Sequence, residues 1–229
     1  MEESTTKEKV LKKIRDALIE QTEIPYPSLD QDNPIYQPLA DDLDVTFAQE
    51  LVKVAGKFVY CEGFDDFLST LQSFILEKDW PLLTCYDRVL QGLLKDGGIP
   101  FDSDITNIAN ARLGITRCEH LIARLGSVMV SSATSPGRRI VVFPDIHIVI
   151  AEPSQLVPDL KQAFNNMKVK YGSAFPSMIS LITGPSRTAD IEKTLVLGAH
   201  GPKELYVFLV ESNFNEEEDE KIVPSNTGS

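Results

Sequence analysis

The chain is short of the groups that hold metals and clusters. Its 229 residues include three histidines and three cysteines. Cys61, Cys85 and Cys118 are far apart, odd in number and form no C-x-x-C pair. This excludes a ferredoxin-type cysteine run and argues against a disulfide framework, and it fits reduced thiols in a cytoplasmic protein. His120, His147 and His200 lack ligand spacing, so no zinc is expected. There is no G-x-G-x-x-G after a strand and no Walker A sequence. No run approaches the roughly 18 apolar residues that cross a bilayer, and the polar start MEESTTKEKV does not read as a signal peptide. Positive charge is scarce too. A net charge of −12 repels nucleic acid and anionic membranes over a Debye length of about 10 Å. An acidic bulk still leaves room for a local basic pocket.

What is present is an α/β pattern. Lys7 to Gln21 predicts an amphipathic helix, with Val10, Leu11, Ile14, Ala17 and Leu18 on one face. Residues 21–44 contain Pro25, Pro27, Pro34 and Pro38 and read as an extended arm or a linker. Helices are expected over Thr46–Gly56, Phe64–Ile75, Tyr86–Leu94 and Pro158–Lys168, the last with Pro158 in its first turn, and a strand over Lys57–Cys61. From Arg112 the pattern turns to short β segments: Gly114–Cys118, Leu121–Ala123, Ser127–Ser131, Ile140–Val142 and Ile146–Ala151. Connections this short predict antiparallel pairs or a meander, hence a mixed sheet. The tail, residues 212–229, carries NEEEDE and reads as disordered. The expected organisation is a helix and Pro-rich arm over 1–44, an α/β domain over 45–211 and the acidic tail.

The stretch richest in chemistry runs from Ser180 to Val210. A β run, Met178–Ile182, ends in Thr183-Gly184-Pro185-Ser186-Arg187-Thr188 and then an expected helical turn, Ala189–Lys193. A second loop, Gly198-Ala199-His200-Gly201-Pro202, leads into the β run Leu205–Val210. Loops that feed a helix N-terminus offer N–H groups to an anion. Gly184, Ser186, Arg187 and Thr188 would then cradle a carboxylate or phosphate, with Arg187 as a fork. The plainer alternative has Thr188 as an N-cap and Asp190 and Glu192 on the helix dipole. His200 and Gly201 form either an acid/base site or a buried turn. His147 faces either a ligand cleft or a core hydrogen-bond partner. Arg138 and Arg139 either neutralise an anion or lie solvated before a strand. His120 reads as a surface residue.

The wording GPSRTADIE, Gly184–Glu192, and LVLGAHGP, Leu195–Pro202, resembles the LUD domain of the lactate utilization protein C family. The resemblance extends to LGITRCEHLIARLGSVMVSS, Leu113–Ser132, and to GRRIVVFPDIHIVIAEPSQLVPDL, Gly137–Leu160. It covers the C-terminal half strongly and the N-terminal half weakly. It implies a three-layer α/β/α fold of the ribose-phosphate isomerase/CoA-transferase-like kind, with ligands at loops above strand ends. It also adds Gly126 and Ser127 to the candidate ligand-binding residues. There the family reads roughly IAETGS, whereas this chain has Arg124 and Leu125 in place of the acid and threonine.

The resemblance implies a cluster-free subunit of an L-lactate oxidising system that binds a small anion and works beside iron–sulfur partner subunits. A stand-alone enzyme of the CoA-transferase, sugar-phosphate isomerase or formyltetrahydrofolate cyclo-ligase type is the alternative. It would require Glu119, Asp145 or Glu152 to share a cleft with His200. A third reading is an interaction module, a homodimer that exchanges arms and buries Ile24, Tyr26, Ile35 and Tyr36.

Overall fold

Side-chain periodicity decides most elements of the computed structural model, which describes residues 5–19, 37–134, 139–189, 195–197, 201–212 and 214. The chain divides into two units, Met1–Pro38 and Leu39–Ser229. The first contains α1 (Thr6–Ile19), on which Val10, Leu11, Ile14 and Ile19 are exposed. The expected arm-exchange residues 24, 26, 35 and 36 lie outside the described residues.

The second unit opens with α2 (Leu43–Lys53), β1 (Lys57–Cys61) and α3 (Phe64–Glu77). On α3, Phe67 and Leu71 recur at i, i+4 and are fully buried. Next come β2 (Leu83–Cys85), α4 (Arg88–Asp96) and β3 (Phe101–Asp102). Asp87 caps α4, its carboxylate accepting from the Val89 and Leu90 N–H groups at 2.9 and 3.2 Å. The chain then makes β4 (Leu113–Arg117), β5 (His120–Ile122), β6 (Ser127–Ser131), β7 (Ile146–Ala151) and β8 (Leu156–Val157). It continues with α5 (Leu160–Tyr171), β9 (Ile179–Ile182), β10 (Arg187–Ala189), β11 (Leu195–Leu197) and β12 (Glu204–Val210).

The six-stranded main sheet has the order β1-β12-β7-β4-β2-β3, and every pair in it is parallel. Antiparallel pairing is confined to β5–β6 and β6–β9 in a second, four-stranded sheet and to the β10–β11 pair. The expectation of antiparallel pairs thus holds for β5–β6 but not for β4 and β7. Those two are parallel neighbours, because the excursion through β5 and β6 serves as the crossover that a helix would otherwise make.

Alternation along each strand sets the layers. Ile148, Ile150, Phe208 and Val210 face α3 and α4. Val149, Ala151, Val207 and Leu209 face α2 and the second sheet. The far side of that sheet, Ile122, Met129 and Val157, packs on Ala163 and Met167 of α5. The fold is therefore α/β with a mostly parallel sheet flanked by helices, and the second sheet adds an inner layer.

Three local expectations are corrected. Residues 140–142 form turns rather than a strand, because Ile140 and Val141 bury their side chains in the core next to Gly114. Pro158 precedes the N-cap of α5 instead of entering its first turn; Asp159 is the cap and accepts from the Gln162 N–H at 2.9 Å. Ala189, expected to open a helical turn, belongs to β10 and pairs with Leu195, and the rest of that expected turn, residues 190–193, lies outside the described residues.

Two glycines seat α2. Gly126 (φ 56°) would place a Cβ 2.3 Å from the Leu51 nitrogen, and Gly184 (φ 74°) would place one 2.1 Å from the Val54 carbonyl oxygen. Both sit in the left-handed region, where an L side chain costs about 1–2 kcal/mol, and overpacking adds about 1–3 kcal/mol. Gly126→Ala is therefore expected to lower unfolding free energy by roughly 2–4 kcal/mol in urea denaturation. An unchanged midpoint would show that α2 is not seated in this way.

Candidate functional site

A parallel sheet gathers the residues that precede its strands along one edge. Arg112 precedes β4, Asp145 precedes β7 and Lys203 precedes β12. Arg112 Nε donates to Asp145 Oδ2 at 2.9 Å, and Lys203 Nζ lies 2.7 Å from Asp145 Oδ1. The Lys203 and Glu204 N–H groups both donate to the Asp145 carbonyl, at 2.7 and 3.1 Å. The hydrogen bond from Lys203, with Arg112 behind it, holds the Asp145 carboxyl below the usual carboxylate range. Both ion pairs are largely exposed, so each stabilises by at most about 1 kcal/mol.

The two sequence-predicted loops meet on this same edge. The Ser186 N–H donates to the Pro202 carbonyl at 2.8 Å, and a Cβ on Gly201 would lie 2.8 Å from Ser186 Cβ. Arg187 Nη2 donates to the Val54 carbonyl at 3.1 Å, satisfying an orphan acceptor at the C-terminus of α2. Ser127 Oγ lies 2.8 Å from Thr183 Oγ1, and Gly126 abuts Glu50 and Leu51. Gly126, Ser127, Gly184, Ser186, Arg187 and Gly201 are thus brought together around the end of α2. Thr188 lies in β10. Arg187 opens a strand, and among the described residues no helix N-terminus follows it, so an anion here meets the guanidinium, the hydroxyls and loop N–H groups. Val54 takes one of the five N–H donors of the Arg187 guanidinium.

The remaining candidates lie elsewhere. His200 and Arg138 are outside the described residues. Arg139 is exposed on a turn, its guanidinium 6.0 Å from the Phe143 ring centroid. His147 is fully buried inside the main sheet, with Nε2 2.9 Å from Thr116 Oγ1 and Nδ1 unpartnered. Desolvation pushes its pKa down to about 4, so it is uncharged near neutral pH. His120, expected at the surface, is buried in β5, with Nδ1 3.2 Å from the Gln155 carbonyl. Burial lowers its pKa as well.

Of the three acids singled out in sequence, Asp145 shares the loop edge. Glu119 follows β4 and Glu152 follows β7, so both stand at the opposite, carboxyl edge of the sheet. Polar groups there have partners. Arg117 Nε donates to Asp87 at 2.7 Å. Glu152 accepts from the Phe214 N–H. Glu119, with 1% of its side chain exposed, accepts from Ser131 Oγ at 2.5 Å, Tyr171 OH at 2.8 Å and Lys170 Nζ at 3.0 Å. A carboxylate held by three donors is a poor nucleophile, which weighs against covalent CoA transfer at Glu119. Arg124, in place of the family acid, is half-buried in the turn before Gly126, its N–H donating to the Pro158 carbonyl at 3.2 Å.

Sequence reading did not bring forward Arg112, Lys203 or Trp80. The available signal was a charged residue immediately before an apolar β run, in Arg112-Leu113, Asp145-Ile146 and Lys203-Glu204. Among the described residues no group of three or more His, Cys, Asp or Glu side chains is placed to hold a metal ion, and no helix is long and apolar enough to cross a membrane.

Residues 102–210 match the LUD domain, a span that includes all four motif stretches from Leu113 onward. Over 112 residues the chain is 38% identical to "Lactate utilization protein C" of Bacillus licheniformis, covering 48% of this chain and 47% of that protein. Over 142 residues it is 38% identical to the protein of the same name from Geobacillus thermodenitrificans, covering 61% and 57%. The chain spans about half the length of the curated relatives it matches. The crystal structure of a DUF162 family protein from Deinococcus radiodurans superposes with a TM-score of 0.55 at 14% identity, over 76% of this chain and 99% of that one. That likeness speaks to the fold.

Two expectations follow from the buried groups. His147 titrates near 6.5 when unfolded and near 4 when folded. Below pH 6.5 the unfolded chain binds a proton that the folded chain refuses, so stability falls between pH 6.5 and 4, by about 3 kcal/mol in all. Urea denaturation at pH 7 and pH 5 should show a smaller acid loss in His147→Gln than in the unsubstituted chain. Equal losses would assign the acid sensitivity to other groups. Glu119→Ala removes an acceptor from Ser131 Oγ and Tyr171 OH and is expected to cost roughly 2–4 kcal/mol by the same assay, discounted for the exposure of Lys170. A cost under about 1 kcal/mol would mean that the cluster is not a structural tie.

Proposed function

Residues 102–210 are a LUD domain and the chain belongs to the LUD-domain family; from that premise we propose that it is a cluster-free component of an L-lactate utilization system that binds a small carboxylate. The printed names of its relatives support the lactate context. The observation that carries the binding role is the junction of the two motif loops, where Ser186 and Gly201 touch and Arg187 stands exposed beside them. A guanidinium and neighbouring hydroxyls recognise a carboxylate by charge-assisted hydrogen bonds.

In this reading the chain positions a 2-hydroxy or 2-oxo acid, and electrons leave through iron–sulfur centres on partner subunits in the cytoplasm. Cys61, Cys85 and Cys118 are all buried. Burial pushes the Cys61 thiol up to about 11 and the Cys85 thiol up to about 12, so neither is a ready thiolate for a cluster.

The test is thermal unfolding of the full chain with L-lactate, pyruvate, ribose 5-phosphate and CoA. A ligand at 100 times its Kd adds about 2.7 kcal/mol. Lactate or pyruvate is expected to raise the midpoint, and Arg187→Ala and Ser186→Ala to remove the rise. A rise only with ribose 5-phosphate or CoA would move the chain to the stand-alone enzyme class. No rise with any of the four would remove the carboxylate-binding role.

A further inference from the structure

The N-terminal edge of the main sheet carries a second recess, on the face opposite the two loops. It is an open depression of about 420 Å³ lined by Asp79, Trp80, Pro81, Arg112, Asp145 and Ile146. Its size is within the range of about 300–1,000 Å³ common for small-molecule sites. Parallel pairing creates it, since Pro81 precedes β2, Arg112 precedes β4 and Asp145 precedes β7.

The lining is chemically differentiated. Trp80 is held edge-on by Tyr206 at 5.0 Å and by Phe74 at 5.7 Å between ring centroids, which fixes an indole at the rim. Arg112 gives Nε to Asp145. A guanidinium has four further N–H donors, and these can take an anionic group. Asp145 is matched by two cations, Arg112 and Lys203, and with Asp79, which also lines the depression, the four charges sum to zero. Asp79, exposed and with φ 49°, offers an acceptor on the other side.

We propose that this depression is a binding site for a small hydroxylated organic anion, with its charged group on Arg112, its hydroxyl donating to Asp79 and its C–H face on Trp80. The site is separate from the Arg187 loops and does not require the carboxylate reading made for them. The indole supplies apolar contact, and the Arg–Asp pair selects a molecule that carries both an anion and a hydroxyl.

Trp80 is the chain's single tryptophan, so all of the indole emission comes from the rim of this depression. Probes for a fluorescence titration of the full chain at low salt are L-lactate, ribose 5-phosphate, propionate and inorganic phosphate. The first two carry an anion and a hydroxyl; propionate and phosphate carry no carbon-bound hydroxyl. At least one hydroxylated probe is expected to shift emission saturably at roughly tenfold lower concentration than the other two, a difference of about 1.4 kcal/mol. Arg112→Gln should weaken that response about tenfold, and Asp79→Asn should erase the preference over propionate. Arg88→Gln, on exposed α4 surface, should change nothing. Emission unmoved by all four probes overturns the proposal, as does a response whose midpoint is unchanged in Arg112→Gln. A response abolished by Arg187→Ala overturns it too, by placing the ligand on the loops and leaving the reading for that site intact.

Discussion

The buried carboxylate of Glu119 is the constraint around which the two sheets are joined. A charge with 1% side-chain exposure must be met by donors or it destabilises the fold. Its three donors come from the end of β6 and from the last turn of α5. Glu119 itself bridges β4 of the main sheet and β5 of the second, and its N–H donates to the Met129 carbonyl at 2.7 Å. One side chain therefore fixes where the second sheet leaves the first and where α5 ends upon it. With that sheet in place, Leu121, Val128 and Val130 close the core over β7 and β12, and α2 docks beside them.

Local signals in the chain were strong where periodicity alone decides. Phe64–Glu77 buries one helical face, and Ser127–Ser131 is a short run buried throughout; both can be read off a window of a few residues. The β10–β11 pairing was not legible, since the TADIE wording carries a good helix-start signal, and only the pairing with Leu195 puts Ala189 in a strand. Leu83–Cys85 is three residues long beside Pro81, too short to announce itself. Of the candidate site, the glycine-rich loops and Ser127 could be found from their wording. Arg112 and Lys203 carried only the weak signal of a charge before a β run, and their pairing with Asp145 arises only after strands distant in sequence align in parallel.

The two ends of the main sheet differ in character. Ligands of open α/β sheets usually sit outside the carboxyl ends of the strands. Here that end holds matched groups: Asp87 with Arg117, Glu119 with its donors, and Glu152 with the Phe214 N–H. The amino end holds Arg112 and Lys203 with Asp145 and Asp79, an indole and two glycine-bearing loops. In a chain of net charge −12, an edge whose charges balance stays open to small anions while the bulk repels polyanions.

The strand order has a consequence for synthesis. β1 pairs in the main sheet with β12, and β12 separates it from β7. The first strand made must therefore wait for the last before it gains a ladder partner. On a ribosome, Lys57–Cys61 and the apolar face of α3 stay unsheltered until Glu204–Val210 has emerged. High contact order slows folding and prolongs exposure of unpaired edges. A nascent chain of this topology completes its main sheet only once Glu204–Val210 has emerged, and until then the edge of β1 is open to chaperones that hold exposed strands.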